Sequence, residues 1–184
     1  NRQLSIDLMT DDVIIYTYSN SKGQQMNNIE VIGGSKSQKK YVVSMVQYCC
    51  NMLMPRMQTL DIEIHLKDFK KDENYGYAWP LEDGLNPREF GLEINKHKRL
   101  RRLLETVAHE MVHVKQFARN ELYEPAAKQG SRWKGEWLSP NQKCVKDYWD
   151  QPWEIEAHGR ECGLFVRWAE KNGYSKKKWA QYDL

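Results

Sequence analysis

Between Arg99 and Asn120 the apolar residues Leu104, Val107, Met111, Val114 and Ala118 recur every three or four positions, the spacing of one buried stripe on an α-helix. A helix with that stripe must be covered, so the rest of the chain has to supply a core for it. At about 100° per residue, Arg102, Thr106, His109 and His113 fall on a face roughly opposite the stripe. Packing the stripe inward therefore turns two histidines toward a cleft. Four positions apart, their Cβ atoms lie about 5–6 Å from each other, so both imidazoles can reach one ion. Glu110 follows the first histidine and projects beside such an ion, where a carboxylate can act as base on a water that the ion activates.

A catalytic ion needs a third protein ligand and an open position. The downstream candidates cluster in Pro152-Trp153-Glu154-Ile155-Glu156-Ala157-His158. On a helix Glu154 and His158 share a face, whereas Glu156 points about 200° away from Glu154. We take Glu154 as the ligand and His158, one turn on, as a neighbouring group that orients a ligand or stabilises the reaction. His158 or Glu156 as the third ligand stays open at this point.

The remaining periodicities describe an α+β chain. Val42, Met45, Val46, Cys49, Met52 and Leu53 give a helix over Lys39 to Met54, stopped at Pro55. Ile62, Ile64 and Leu66 alternate, as do Phe90, Leu92 and Ile94, so both segments read as strands, and Asn74 to Trp79 can supply a third. His65 alternates onto the polar face of its strand and reads as a surface or structural histidine. Before Gly33-Gly34-Ser35, the run Val13 to Tyr18 reads as strand and Ser19 to Asn28 as loop, so residues 1–35 form a strand and loop segment ahead of a main unit over residues 36–184. Glu121 to Gln151 reads as loop with short helical pieces, its Trp133, Trp137 and Trp149, with the following Trp153, as loop packing. Trp153 to Asn172 reads as a helix with Ile155, Leu164, Phe165 and Trp168 in the core.

Composition narrows the partners. With 40% hydrophobic and 29% charged residues and no long apolar run, the chain can bury one core and has no span for a bilayer. The opening Asn1-Arg2-Gln3-Leu4 has no basic-then-apolar leader, which makes a cytoplasmic or virion-associated location the expectation. A net charge of +3 is too small to demand a polyanion, and Lys96, Lys98, Arg99, Arg101 and Arg102 read as a solvated helix start; nucleic acid is a weakly supported partner. Cys49, Cys50, Cys144 and Cys162 lack the density or spacing of a disulfide scaffold or thiolate site, which favours a reducing compartment, with one of Cys49 and Cys50 in the core and one at its boundary.

Thr106-Val107-Ala108-His109-Glu110-Met111-Val112-His113 resembles the signature of the zincin metallopeptidases, and more closely of the small SprT-like and glutamate-zincin proteins, some of them phage-encoded. Glu154-Ile155-Glu156-Ala157-His158 is similar to the Glu-x-x-Ala-Asp/Asn element of glutamate zincins. The resemblance covers roughly residues 39–172 and implies a minimal zincin-like domain: a small mixed sheet packed on an active-site helix and a downstream ligand helix. It implies Zn2+ held by His109, His113 and Glu154, Glu110 as base, and hydrolysis of a protein or peptide substrate. His158 stands where those proteins carry the Asp or Asn that orients a histidine ligand, and SprT-like members use a third His, so His158 keeps a claim to the ligand role. The resemblance further implies an edge strand aligning an extended peptide, for which Phe90 to Asn95 is the candidate, and an oxyanion donor among Tyr148, His158 and Tyr123. Two other expectations compete with the peptidase: a structural or virion assembly protein retaining such a domain, and a DNA-associated factor using Arg99 to Arg102 and Lys176 to Lys178.

Overall fold

The computed structural model describes residues 3–9, 13–19, 25–69, 75–125 and 127–181, with side chains from residue 27 onward. Six strands, β1 (Gln3–Met9), β2 (Val13–Ser19), β3 (Gln25–Gly33), β4 (Asp61–Lys67), β5 (Gly76–Pro80) and β6 (Glu89–Asn95), form one mixed sheet in the order β1-β2-β3-β4-β6-β5. β1, β2 and β3 run as an antiparallel meander, β3, β4 and β6 are parallel neighbours, and β5 returns antiparallel to β6. Four helices accompany it: α1 (Lys36–Leu53), α2 (Leu100–Ala118), the single turn α3 (Lys143–Lys146) and α4 (Pro152–Lys171). The architecture is α+β.

The parallel pairing of β3 with β4 needs a crossover, and α1 supplies it. Gly33 and Gly34 make the turn at positive φ; a Cβ on Gly33 would sit 2.7 Å from the carbonyl oxygen of Leu66, so the chain approaches β4 too closely for any other residue. Ser35 then caps α1 in a reciprocal capping box with Gln38. The first 35 residues thus contribute three strands to the same sheet as β4 and β6, and Ile29 and Val31 lie in the same core as the helices. Both Cys49 and Cys50 are buried, so the expected core and boundary split is not seen; Asn27 hydrogen-bonds Cys50 and fills the place of solvent.

α2 is the central helix. Every residue from Leu103 to Ala118 is buried, because the apolar stripe meets the sheet and α1 while the polar face is covered by α4. In α4, Leu164, Phe165 and Trp168 are buried as the spacing implied, but Ile155 is 57% exposed. Nine residues separate it from Leu164, half a turn out of phase, so one helix cannot bury both on the same side.

Two further expectations are corrected by the topology. Phe90 to Asn95 is not an edge: β6 lies between β4 and β5, and Trp79 of β5 lies over Gly91, where a Cβ would come within 2.5 Å of the indole. Among the described residues the outer strand on this side of the sheet is β5. Within the stretch read as loop, β7 (Leu122–Tyr123), β8 (Ser131–Trp133) and β9 (Glu136–Leu138) form a small antiparallel sheet. Its β8–β9 hairpin turns on two residues, Lys134 and Gly135, both at positive φ, which the right-handed twist of the flanking strands requires. Among the described residues no helix is long and apolar enough to cross a membrane.

Candidate metal centre

The facing sides of α2 and α4 build the site. α4 begins with Pro152 in its first turn, where the missing N–H costs nothing. Its start is pinned to the end of α2: the Gln116 amide donates to the carbonyl of Trp153 (3.0 Å) and to Glu156 (3.2 Å), and Lys115 Nζ donates to Glu156 at 2.8 Å. That clamp occupies Glu156 and so removes it from the cleft. Glu154, two residues earlier and on the other side of the helix, is delivered to the histidines.

His109 Nε2 and His113 Nε2 lie 3.1 Å apart, and the two oxygens of Glu154 each lie 3.3 Å from one of them. The other ring nitrogens decide what these atoms are. His109 Nδ1 faces Glu161 Oε2 at 2.8 Å, and His113 Nδ1 faces the Gln116 oxygen at 2.8 Å, whose amide orientation is set by its two donations to acceptors. Both Nδ1 atoms must therefore carry the hydrogen, and in the neutral rings both Nε2 atoms present lone pairs. Two lone pairs and a carboxylate converge with no donor among them, and Glu154 Oε2 is buried without a hydrogen-bond partner among the described residues. Such a constellation can accept a cation. His109, His113 and Glu154, all buried, can hold a metal ion.

Without an ion the site holds protons instead. Burial disfavours a charged ring at His109, but hydrogen bonds to Glu154 and Glu161 outweigh it and raise the group to about 9. His113 is raised in the same way against its burial, chiefly by Glu154. Burial also opposes ionisation of Glu154, yet the two histidines pull its carboxyl far below the usual range. Glu110 behaves oppositely: burial dominates, the histidine charges offset it only in part, and the group is pushed up to about 7. A carboxyl near neutrality, beside a cation site and not part of it, is suited to taking and returning a proton.

Glu161 is the residue that sequence reasoning missed. Its carboxylate accepts from His109 and is held by Arg102 Nη1 at 3.2 Å and faced by His158 Nδ1 at 3.3 Å. The signal was present: 154, 158 and 161 stand at i, i+4 and i+7 of one helix face. The carboxylate on His109 Nδ1 is thus Glu161, whereas His158 lies one step further out. The His158 ring sits 4.4 Å from that of His109, its Nε2 is 3.3 Å from the Tyr148 hydroxyl, and Trp149 stacks on it at 5.0 Å. His109, His158 and Glu161 also come together closely enough to hold an ion, but this second group shares His109 with the first.

These residues line a cleft of about 470 Å³. Phe117, Leu122 and Trp153 form its apolar side, Gly76, Tyr77 and Ala78 of β5 one wall, and Arg102 and Tyr75 one end. Trp149, 69% exposed, and Trp153, buried, both line this cleft, whereas Trp133 packs on the core as loop packing would have it. Among the oxyanion candidates, Tyr148 and His158 line the cleft, while Tyr123 lies outside its lining and stacks under Arg132. The basic helix start is not simply solvated: Arg101 and Arg102 both pair with the buried Glu105. No protein-family model, curated protein or solved structure matches this chain.

Proposed function

We propose that this chain is a zinc-dependent metallopeptidase that hydrolyses peptide bonds in the cleft between α2, α4 and β5. The observation that carries the reading is the convergence of two imidazole lone pairs and the Glu154 carboxylate beside a carboxyl, Glu110, that burial holds near neutrality. Two imidazoles and one carboxylate are a donor set that suits zinc with a position left open. Zinc held there supplies Lewis acidity, which polarises a carbonyl and makes water acidic enough to lose a proton near pH 7.

The chain's own groups supply the rest. Glu110 accepts the proton from water and returns it to the leaving amine. Burial and a hydrogen bond to Glu154 oppose deprotonation of Tyr148, so its hydroxyl stays a donor, and it lines the cleft with His158, where either could turn to a developing oxyanion. Among the described residues β5 pairs only with β6, and its outer edge can align an extended peptide by backbone hydrogen bonds. Gly76 brings that strand up to Glu110: a Cβ there would lie 3.0 Å from Glu110 Oε1. Arg101 and Arg102 are engaged by Glu105 and Glu161, which weakens the DNA-binding alternative.

The test is zinc content together with cleavage. The purified protein should hold about one equivalent of zinc, lost in His109→Ala and Glu154→Ala. Casein or a peptide library should be cut by the wild type and not by Glu110→Gln with zinc still bound. Stoichiometric zinc with no cleavage by the wild type across broad conditions would replace the peptidase by an assembly module, and no zinc at all would remove the metal centre.

A further inference from the structure

At the end of the cleft next to β5, Arg102 makes two ion pairs, to Glu105 Oε2 at 3.4 Å and to Glu161 Oε1 at 3.2 Å, and both use Nη1. Among the described residues nothing engages its Nε and Nη2, the edge that offers two parallel N–H donors to a carboxylate. The side chain is 41% exposed and lines the cleft with Thr106 and His109. Its guanidinium lies over the Tyr75 ring at 4.8 Å. Lys98 Nζ lies over the same ring at 4.0 Å and, among the described residues, pairs with no carboxylate. Tyr75 is itself 45% exposed and makes the floor that gathers the two cations.

The open guanidinium edge faces a cleft that also holds the carboxylates of Glu110, Glu154 and Glu161. Arg102 stands seven residues before His109 on α2. Two helical turns are about 10 Å, or roughly three residues of extended chain.

We propose that Lys98, Arg102 and Tyr75 form a subsite for a carboxylate of the peptide substrate, two or three residues from the bond that is cut. The proposal rests on the peptidase reading for its ligand class. The carboxylate can come from an acidic side chain or from the end of the peptide, and Arg102 grips it through Nε and Nη2 while Lys98 adds charge from the far side of the tyrosine edge. Arg102 has a second role through Glu161, so Lys98 is the cleaner handle on the subsite.

The experiment measures binding to Glu110→Gln protein, which stops turnover, by titration calorimetry. The probes are neutral hexapeptides blocked at both ends, each carrying one Glu or one Gln at a scanned position, and the same Gln peptides with a free C-terminal carboxylate. One carboxylate peptide should bind about tenfold more tightly than its neutral partner. Lys98→Gln should cut that preference about threefold, Lys98→Arg should restore it, and the Lys98→Gln, Arg102→Gln double variant should abolish it. A preference shown by Glu peptides assigns the subsite to an acidic side chain, and one shown only by the free terminus assigns it to the chain end. Equal binding of charged and neutral peptides, or a preference unchanged in the double variant, overturns the subsite and leaves the peptidase reading standing. The carboxylate preference without cleavage by the Glu110-intact protein keeps the subsite and removes the peptidase; no binding of any peptide removes both.

Discussion

Replacing Glu161 by glutamine takes one negative charge from His109 Nδ1, 2.8 Å away, while keeping the side chain's size. A carboxylate behind a metal-ligating histidine fixes the ring's tautomer and raises its donor strength, and losing one typically costs 10–100-fold in metal affinity. The amide oxygen introduced by this substitution can still accept one hydrogen bond from Nδ1, so Glu161→Gln should weaken zinc by about tenfold, or about 1.4 kcal/mol. Glu161→Leu leaves Nδ1 and Arg102 without that partner and should approach a hundredfold, toward the upper limit of that range. Protons compete for the same ring. Glu161 also helps raise His109 to about 9 in the metal-free protein, so removing it eases that competition at pH 7. The loss should therefore be larger at pH 9 than at pH 7. Competition against a chromophoric zinc chelator reads the affinity directly. At zinc about 100-fold above the wild-type Kd the ion stabilises the fold by about 2.7 kcal/mol, and a tenfold weaker site gives up roughly half of this. That is about 3–5 °C in unfolding midpoint for a chain of this length. Glu170→Gln is the control, because Glu170 is exposed near the end of α4 and does not line the cleft. Zinc affinity of Glu161→Gln within twofold of wild type at both pH values, or an equal drop in Glu170→Gln, would refute the reasoning.

Two further outcomes test how the helices and strand position the site. Burial opposes ionisation of Glu156, but Lys115 and Gln116 outweigh it and lower its pKa below 4.5. The stability this group contributes is therefore complete above about pH 4.5 and is lost as pH falls through the lowered value. Urea midpoints should drop between pH 6 and pH 3 by more in the wild type than in Glu156→Gln, and equal slopes would exclude the clamp as an acid-sensitive element. Gly76→Ala places a Cβ 2.8 Å from Thr106 Cγ2 and 3.0 Å from Glu110 Oε1, so β5 must shift outward at a cost of about 1–3 kcal/mol. Peptide cleavage should fall with zinc affinity unchanged; full activity at an unaltered melting temperature would show that the strand does not define the cleft wall.

The helical and strand periods were legible because burial selects them locally. α1, β4, β6, α2 and α4 fall where Val42 to Leu53, Ile62 to Leu66, Phe90 to Ile94, Leu104 to Ala118 and Leu164 to Trp168 recur. The small sheet β7–β9 was not legible, since strands of two or three residues carry no period and only the pair Lys134-Gly135 marks the hairpin. Nor was the edge strand, because alternation identifies a strand but not its neighbours. β5 is outermost only through pairings made across the sheet.

For the site, the sequence by itself determined that His109 and His113 share one face of α2 with Glu110 between them, because helical geometry is local and spacing alone sets it. It also put Glu154, His158 and Glu161 on one face of α4. Which of these meets the histidines depends on how far α4 slides along α2, and no periodicity carries that distance. The tertiary structure decides it through Lys115 and Gln116, which seize Glu156 and the Trp153 carbonyl and set the register that brings Glu154 to both Nε2 atoms and Glu161 to one Nδ1. Burial of Glu110 to the point where its carboxyl rises to about 7 is likewise a property of the packed helices and strand, since desolvation exists only once they close around it.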